Sequence, residues 1–170
     1  MKKLATAFAA GINILALCAM VGVGAFYWTE ATAETRLNQF SEDDVYCLQQ
    51  NIYFEARNQS ALGQRAVAWV TLNRMVDDRY PDTVCEVVWQ HKQFSWTHDG
   101  KADRPAANEQ AEWEQAEFIA RSVMRRWAFD QESPVQDADH YHADYVSPSW
   151  AAQGERLAQV DNHIFYRIKW

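Results

Sequence analysis

The sequence predicts a predominantly helical α+β domain behind an N-terminal apolar segment, and three observations carry that prediction. Two capped helical patterns follow each other, from Ser41 to about Arg57 and from about Ala61 to Val76. A long amphipathic stripe then covers Glu109 to Phe129. Extended patterns are confined to the last part of the chain, at Asp139 to His142 and His163 to Ile168.

Lys2 and Lys3 precede a run from Leu4 to Trp28 with no charge and one strongly polar residue, Asn13. The run is longer than the apolar stretch of a signal peptide and matches the roughly 20 residues that span a bilayer. Residues 1–33 are therefore read as an uncleaved transmembrane anchor, with the two lysines inside and the remaining chain facing outward. Ala31-Thr32-Ala33 provides a small-x-small pattern for the alternative, a signal segment cleaved near Ala33. Lipidation at Cys18 is disfavoured because Leu17 is not small. Residues 34–40 read as a short polar tether without a clear period, and 41–170 as one domain, long enough to bury a core.

Ser41-Glu42-Asp43-Asp44 has the form of a capping box opening the first helix. At 100° per residue, Leu48, Ile52, Val45 and Ala56 lie about 20°, 60°, 80° and 100° from Glu55, which puts that carboxylate at the edge of an apolar arc. Apolar neighbours strip hydration from the charged form, so the pKa of Glu55 is expected to rise toward the range a proton donor needs. Asn58-Gln59-Ser60 ends this helix and caps the next. Ala66, Val67, Ala68, Trp69, Val70 and Leu72 point nearly all round that second helix, the pattern of a buried one. Asn73, at its far end, is a candidate cleft residue, with a helix-end polar group satisfied by nearby backbone as the alternative.

Asp82 or Thr83 caps a short helix reaching about Gln90 after the turn at Asp77 to Pro81. Lys92 to Trp96 reads as extended. There Gln93, Phe94, Ser95 and Trp96 set two hydrogen-bonding groups beside two aromatic faces, a mixture that suits a sugar; two core aromatics in a short strand with incidental polar neighbours are the alternative. A polar loop from Thr97 to Asn108 leads to the long helix, where Trp113, Ala116, Ala120, Val123 and Trp127 recur at core spacing. The segment from Val146 to Trp150 reads as a loop facing a cleft.

Composition excludes several functions. Apolar residues make up 48% of the chain and charged residues 23%, a globular balance. Sixteen basic against 23 acidic residues disfavour nucleic acid as a partner. Cys18 lies in the apolar run, so Cys47 and Cys85 are the candidates for a bridge, which would contribute roughly 3 to 4 kcal/mol in an oxidising compartment. Two separate buried thiols are the alternative.

The segments Asn51-Ile52-Tyr53-Phe54-Glu55-Ala56-Arg57, Gly63-Gln64-Arg65-Ala66-Val67-Ala68, Leu72-Asn73-Arg74, Tyr80-Pro81, Thr83-Val84-Cys85 and Gln93-Phe94-Ser95-Trp96 resemble, in order and spacing, the SleB-type cell wall hydrolase family. Tyr141-His142, Pro148-Ser149-Trp150 and His163 to Tyr166 resemble its closing motifs. The resemblance implies a lysozyme-like, lytic-transglycosylase-like fold, peptidoglycan as the substrate and Glu55 as the catalytic acid. It also implies export, either to an inner-membrane anchor facing the periplasm or cell wall or as a secreted form. The Ala and Gly content of the N-terminal run suits, in addition, the releasable anchors of some phage lysis enzymes. One departure is visible: Asn58-Gln59-Ser60-Ala61 stands where the family more often has a Gly-Glu pair.

Glycosidic cleavage ordinarily takes two carboxyl groups. A lytic transglycosylase needs one, which protonates the leaving oxygen and then takes a proton from the sugar's C6 hydroxyl. That scheme calls for no cofactor and no metal, and it assigns Glu55 the acid and base roles. Asn73, Gln93, Phe94, Ser95, Tyr141, His142 and Trp150 are expected to contact the glycan. Asp43, Asp44, Asp99, Asp139 and Asp144 are candidates for a second carboxylate in a hydrolase. Two rivals remain open: a zinc-dependent amidase built on His140, His142 and His163, and a membrane-tethered wall-binding or lysis-accessory protein without catalysis.

Overall fold

The computed structural model describes residues 30–169. Residues 30–37 are helical (α1), followed by α2 (Glu42–Ala56), α3 (Ala61–Met75), α4 (Val84–Trp89) and α5 (Gln110–Ala128). Three strands close the chain, β1 (His140–Ala143), β2 (Gly154–Val160) and β3 (His163–Ile168). Short 3-10 turns occupy Ser95–His98 and Ser149–Gln153. Residues 1–29 of the proposed anchor, with its lysines and Cys18, lie outside the described residues. Within them no helix is long and apolar enough to cross a membrane.

The helices start where their side chains supply hydrogen-bond acceptors to free backbone amides. Ser41 and Asp44 form the expected capping box, Ser60 caps α3 and Thr83 caps α4. The apolar residues of α3 lie all round it, and Ala66, Val67, Ala68, Val70 and Leu72 have no exposed surface, so α3 is the central rod of the core. α2, α4 and α5 pack around it. Ala116, Ile119, Ala120, Val123 and Met124 bury the inner stripe of α5.

A disulfide joins Cys47 in α2 to Cys85 in α4, with Cα atoms 5.2 Å apart and a separation of 38 positions in sequence. Asp44 adds to the same junction by accepting from the Cys85 amide at 3.3 Å.

The antiparallel sheet has the order β1-β3-β2, with a register shift between Arg156 and Ala158. Tyr141 opposes Phe165 and Ala143 opposes His163, so these four share one face; His140 opposes Tyr166 and His142 opposes Ile164 on the other. Phe165 is fully buried in the core, which fixes the first face as the one turned toward the helices.

Three local expectations are corrected. Residues 34–37, expected to be tether without period, belong to the helix that covers 30–37: Ala33 is buried, and Leu37 and Phe40 pack on the core at i, i+4, i+7 spacing, a run too short to stand out among polar neighbours. Lys92 to Trp96 is not a strand. Phe94 and Trp96 are buried and Ser95 exposed, which mimics strand alternation, but the segment turns into the 3-10 helix at Ser95. β2 was not anticipated, because as an edge strand with one face in solvent it has few apolar residues to signal it.

Candidate active site

Glu55 stands in the last turn of α2, at the seam between its buried face and the solvent. Leu48 and Ile52 pin that helix to the core with no exposed surface. Across the seam, β1 presents Tyr141, whose hydroxyl donates to Glu55 Oε2 at 3.1 Å. Burial pushes the Glu55 carboxyl above its ordinary value of 4.5, and the Tyr141 hydrogen bond and the Arg74 charge pull only part of the way back. Tyr141 in turn is held well above the usual phenol range by burial and by the neighbouring Glu55.

Arg74 is the buried cation behind this pair. Its Nε donates to the Asp139 carbonyl at 2.6 Å, its guanidinium lies 5.5 Å from the Tyr80 ring and 5.6 Å from the Phe94 ring, and its Nη1 has no hydrogen-bond partner. Burial lowers its pKa, and Tyr141, Tyr80, Asp139 and Glu55 oppose that. As an arginine it remains charged.

Glu55 opens into a depression of about 480 Å³. Phe54, Arg57, Asn58 and Gln59 form one wall, Ala143, Tyr145, Asn162 and His163 another, and Glu109 stands between. The rim is tied together: Ser60 donates through N and Oγ to Asp161 Oδ2 at 2.9 and 2.7 Å, and Gln59 Oε1 accepts from the Asn162 amide at 3.4 Å. Gly63 is required at this junction, because a Cβ there would stand 2.4 Å from Asp161 Oδ2 and 2.9 Å from Gln59 Cβ. Burial lowers the pKa of His163, whose ring lies edge-on to Tyr141 at 5.2 Å.

A second depression of about 740 Å³ adjoins the first through shared Phe54, Arg57 and Glu109. Phe54 stacks on Trp96 there with ring centres 4.6 Å apart. The ridge between the two is an ion pair, Arg57 Nε to Glu109 Oε2 at 3.1 Å, with the Tyr53 hydroxyl donating to the same carboxylate.

Of the residues expected to contact a glycan, Tyr141 meets Glu55 and the others are elsewhere. Asn73 donates to the Gln136 and Ala138 carbonyls at 3.0 and 2.8 Å and lines a separate depression with Asp77 and Arg79. Phe94 is buried beneath Arg74, while Gln93 and Ser95 flank it and line neither groove depression. His142 and Trp150 are on the far side of the sheet from Tyr141: His142 stacks on Tyr166 at 5.2 Å and Trp150 packs edge-on to both. Strand alternation forces this, since adjacent residues 141 and 142 point to opposite faces.

The same alternation parts the proposed zinc ligands, with His140 and His142 against Trp150 and His163 against Tyr141. Among the described residues no group of three or more His, Cys, Asp or Glu is placed to hold a metal ion. The aspartates are also dispersed. Asp43 and Asp44 belong to the first turn of α2, the opposite end from Glu55, and Asp99 pairs with Lys101 at 3.1 Å. Asp144 is exposed and lines neither depression. Asp139 is buried, which raises its pKa, but His140, the Ile168 amide and Arg79 outweigh burial and hold it below the ordinary value.

The carboxylate that shares a depression with Glu55 is Glu109, which the sequence reading passed over together with Tyr145 and Arg74. Glu109 looks like one more acidic residue before an amphipathic helix, and only the packing of α5 against α2 brings it here. Arg74 did carry a signal, as a charge within the otherwise apolar pattern of a buried helix.

A family profile described as Cell Wall Hydrolase matches residues 58–166. Glu55 stands three positions before that span. The spore cortex-lytic enzyme of Halalkalibacterium halodurans is 28% identical over 127 residues, 74% of this chain and 35% of that protein. The spore cortex-lytic enzyme of Bacillus subtilis is 27% identical over 137 residues, 80% of this chain and 41% of that protein. The chain thus spans less than half the length of these curated relatives. Among solved structures, the catalytic domain of the Bacillus cereus SleB protein superposes with a TM-score of 0.61 at 26% identity, covering 75% of this chain and 92% of that one. The catalytic domain of the germination-specific lytic transglycosylase SleB from Bacillus anthracis gives 0.58 at 24% identity, covering 76% and 98%, a likeness of fold. The match spans well over half of the chain, which therefore belongs to the cell wall hydrolase family and carries its SleB-like catalytic domain.

Proposed function

We propose that this chain cleaves the glycan strand of peptidoglycan between N-acetylmuramic acid and N-acetylglucosamine, as a lytic transglycosylase with Glu55 as its single acid and base. The observation that carries the reading is the partly desolvated Glu55 carboxyl, hydrogen-bonded by Tyr141 at the floor of a polar depression. A raised pKa keeps its proton available where an ordinary glutamate has lost it.

In this scheme the Glu55 proton passes to the glycosidic oxygen as the C1–O bond breaks. The Glu55 carboxylate then takes the C6 hydroxyl proton while O6 bonds to C1, so no water is consumed and Glu55 ends protonated. Arg74 and Tyr141 stabilise the carboxylate between the two transfers, and such proton transfer contributes about 10² to 10⁴ in rate. The adjoining depression beyond the Arg57–Glu109 ridge leaves room for the strand to continue past the scissile bond.

A second reading, hydrolysis, is favoured by one observation: Glu109 lines the same depression and could serve a water. Mass spectrometry of fragments released from purified peptidoglycan by the full chain distinguishes them. Transglycosylation gives 1,6-anhydromuramoyl ends, hydrolysis gives reducing ends, and freed stem peptides would mean an amidase. Glu55→Gln is expected to abolish release with the fold intact, and unchanged release would overturn the assignment. Action outside the cytoplasm fits the Cys47–Cys85 disulfide, which persists in oxidising compartments.

A further inference from the structure

We infer that Tyr145 is a stacking platform for a pyranose ring of the glycan strand at the mouth of the Glu55 depression. The inference rests on the reading of that depression as a glycan site. Tyr145 is 82% exposed, the most exposed of the large hydrophobic side chains among the described residues, yet it lines the same depression as Glu55. Water-facing aromatic surface of this kind gives no folding stability and is what a ligand's apolar face would cover.

The ring is presented on an anchored turn. The Val146 amide donates to the Ala143 carbonyl at 3.0 Å, and the Asp144 amide donates to the Asn162 carbonyl at 2.7 Å, which fastens the turn after β1 to the turn between β2 and β3. A tyrosine on a held backbone has two side-chain torsions left to order, so it offers contact area at low entropic cost.

The groups around the ring suit the sugars of that strand. A pyranose has one face rich in C–H groups, which suits an aromatic ring, and an edge of hydroxyls. Asn58, Gln59 and Asn162 line the same depression with neutral amides, each able to donate and accept. Amides of this kind match an acetamido group, which likewise donates through N–H and accepts through its carbonyl.

Calorimetric titration of the full-length Glu55→Gln chain with the β-1,4-linked tetramer of N-acetylglucosamine tests the platform without turnover. Tyr145→Ala in that background is expected to weaken binding about tenfold and Tyr145→Trp to restore it to within about twofold, with melting temperatures little changed because Tyr145 is 82% exposed. Equal affinity with and without the ring, or no binding by the Glu55→Gln chain itself, overturns the platform. Failure of the proposed reaction would look different: the wild-type chain would release no glycan fragments while the tetramer still bound in a Tyr145-dependent way.

Discussion

Tyr141 donates its phenolic hydrogen to Glu55 Oε2 at 3.1 Å, joining the first strand to the last turn of the first long helix. The bond favours the carboxylate over the acid and so works against the burial that raises the Glu55 pKa. The two effects set how much proton the group carries at a given pH.

Tyr141→Phe should therefore move the alkaline limb of kcat/KM to higher pH. Glu55 must be protonated to donate, so activity falls as pH rises through its pKa. Loss of the hydrogen bond that lowers this pKa displaces the fall upward. On the low-pH plateau, kcat should drop roughly threefold to tenfold as the carboxylate loses its orienting partner. A pH–rate profile of both chains checks the sign; a downward displacement would contradict it.

Glu55→Gln should stabilise the fold at neutral pH. The folded-state pKa is raised, so between the unfolded and folded values the native chain binds more protons and stability declines as pH rises. Glutamine removes that decline. Thermal melts are expected to show a higher Tm for the variant at about pH 7 and little difference at about pH 3, where the carboxyl is protonated in both states.

Gly63→Ala should destabilise by about 1 to 2 kcal/mol in spite of the better helix propensity of alanine. The added Cβ meets Asp161 Oδ2 and Gln59 Cβ, displacing the carboxylate that accepts from Ser60. The same shift disturbs Gln59 and Asn162 on the rim, so KM is expected to rise with the loss of stability. Denaturant titration with steady-state kinetics reads both.

Reducing the Cys47–Cys85 bridge should lower stability by up to roughly 3 to 4 kcal/mol, the chain-entropy value for a loop of this length. Chemical denaturation with and without reductant measures it. The paired substitution Cys47→Ser with Cys85→Ser should reproduce the reduced state.

Much of the scaffold was legible because it depends on local chemistry. Ser41, Ser60 and Thr83 announced their helices by capping, and the all-round apolar pattern of α3 announced its burial. The failures have separate causes: Phe94 with Trp96 imitated a strand through alternating burial, and β2, although its partner β3 follows after a two-residue turn, is an edge strand with too few apolar residues to signal itself.

By itself, then, the sequence determined the helical frame and the position of Glu55 on the seam of an apolar face, since periodicity and capping act within a few residues, while the pairing of Cys47 with Cys85 was settled by the packing of α2 against α4. Only the tertiary structure decided what faces Glu55. Strand alternation turned Tyr141 toward it and His142 away, and helix packing brought Glu109 and Arg74 to its sides from 54 and 19 positions along the chain. Such meetings follow from the closing of the core, which side-chain order along one element does not encode.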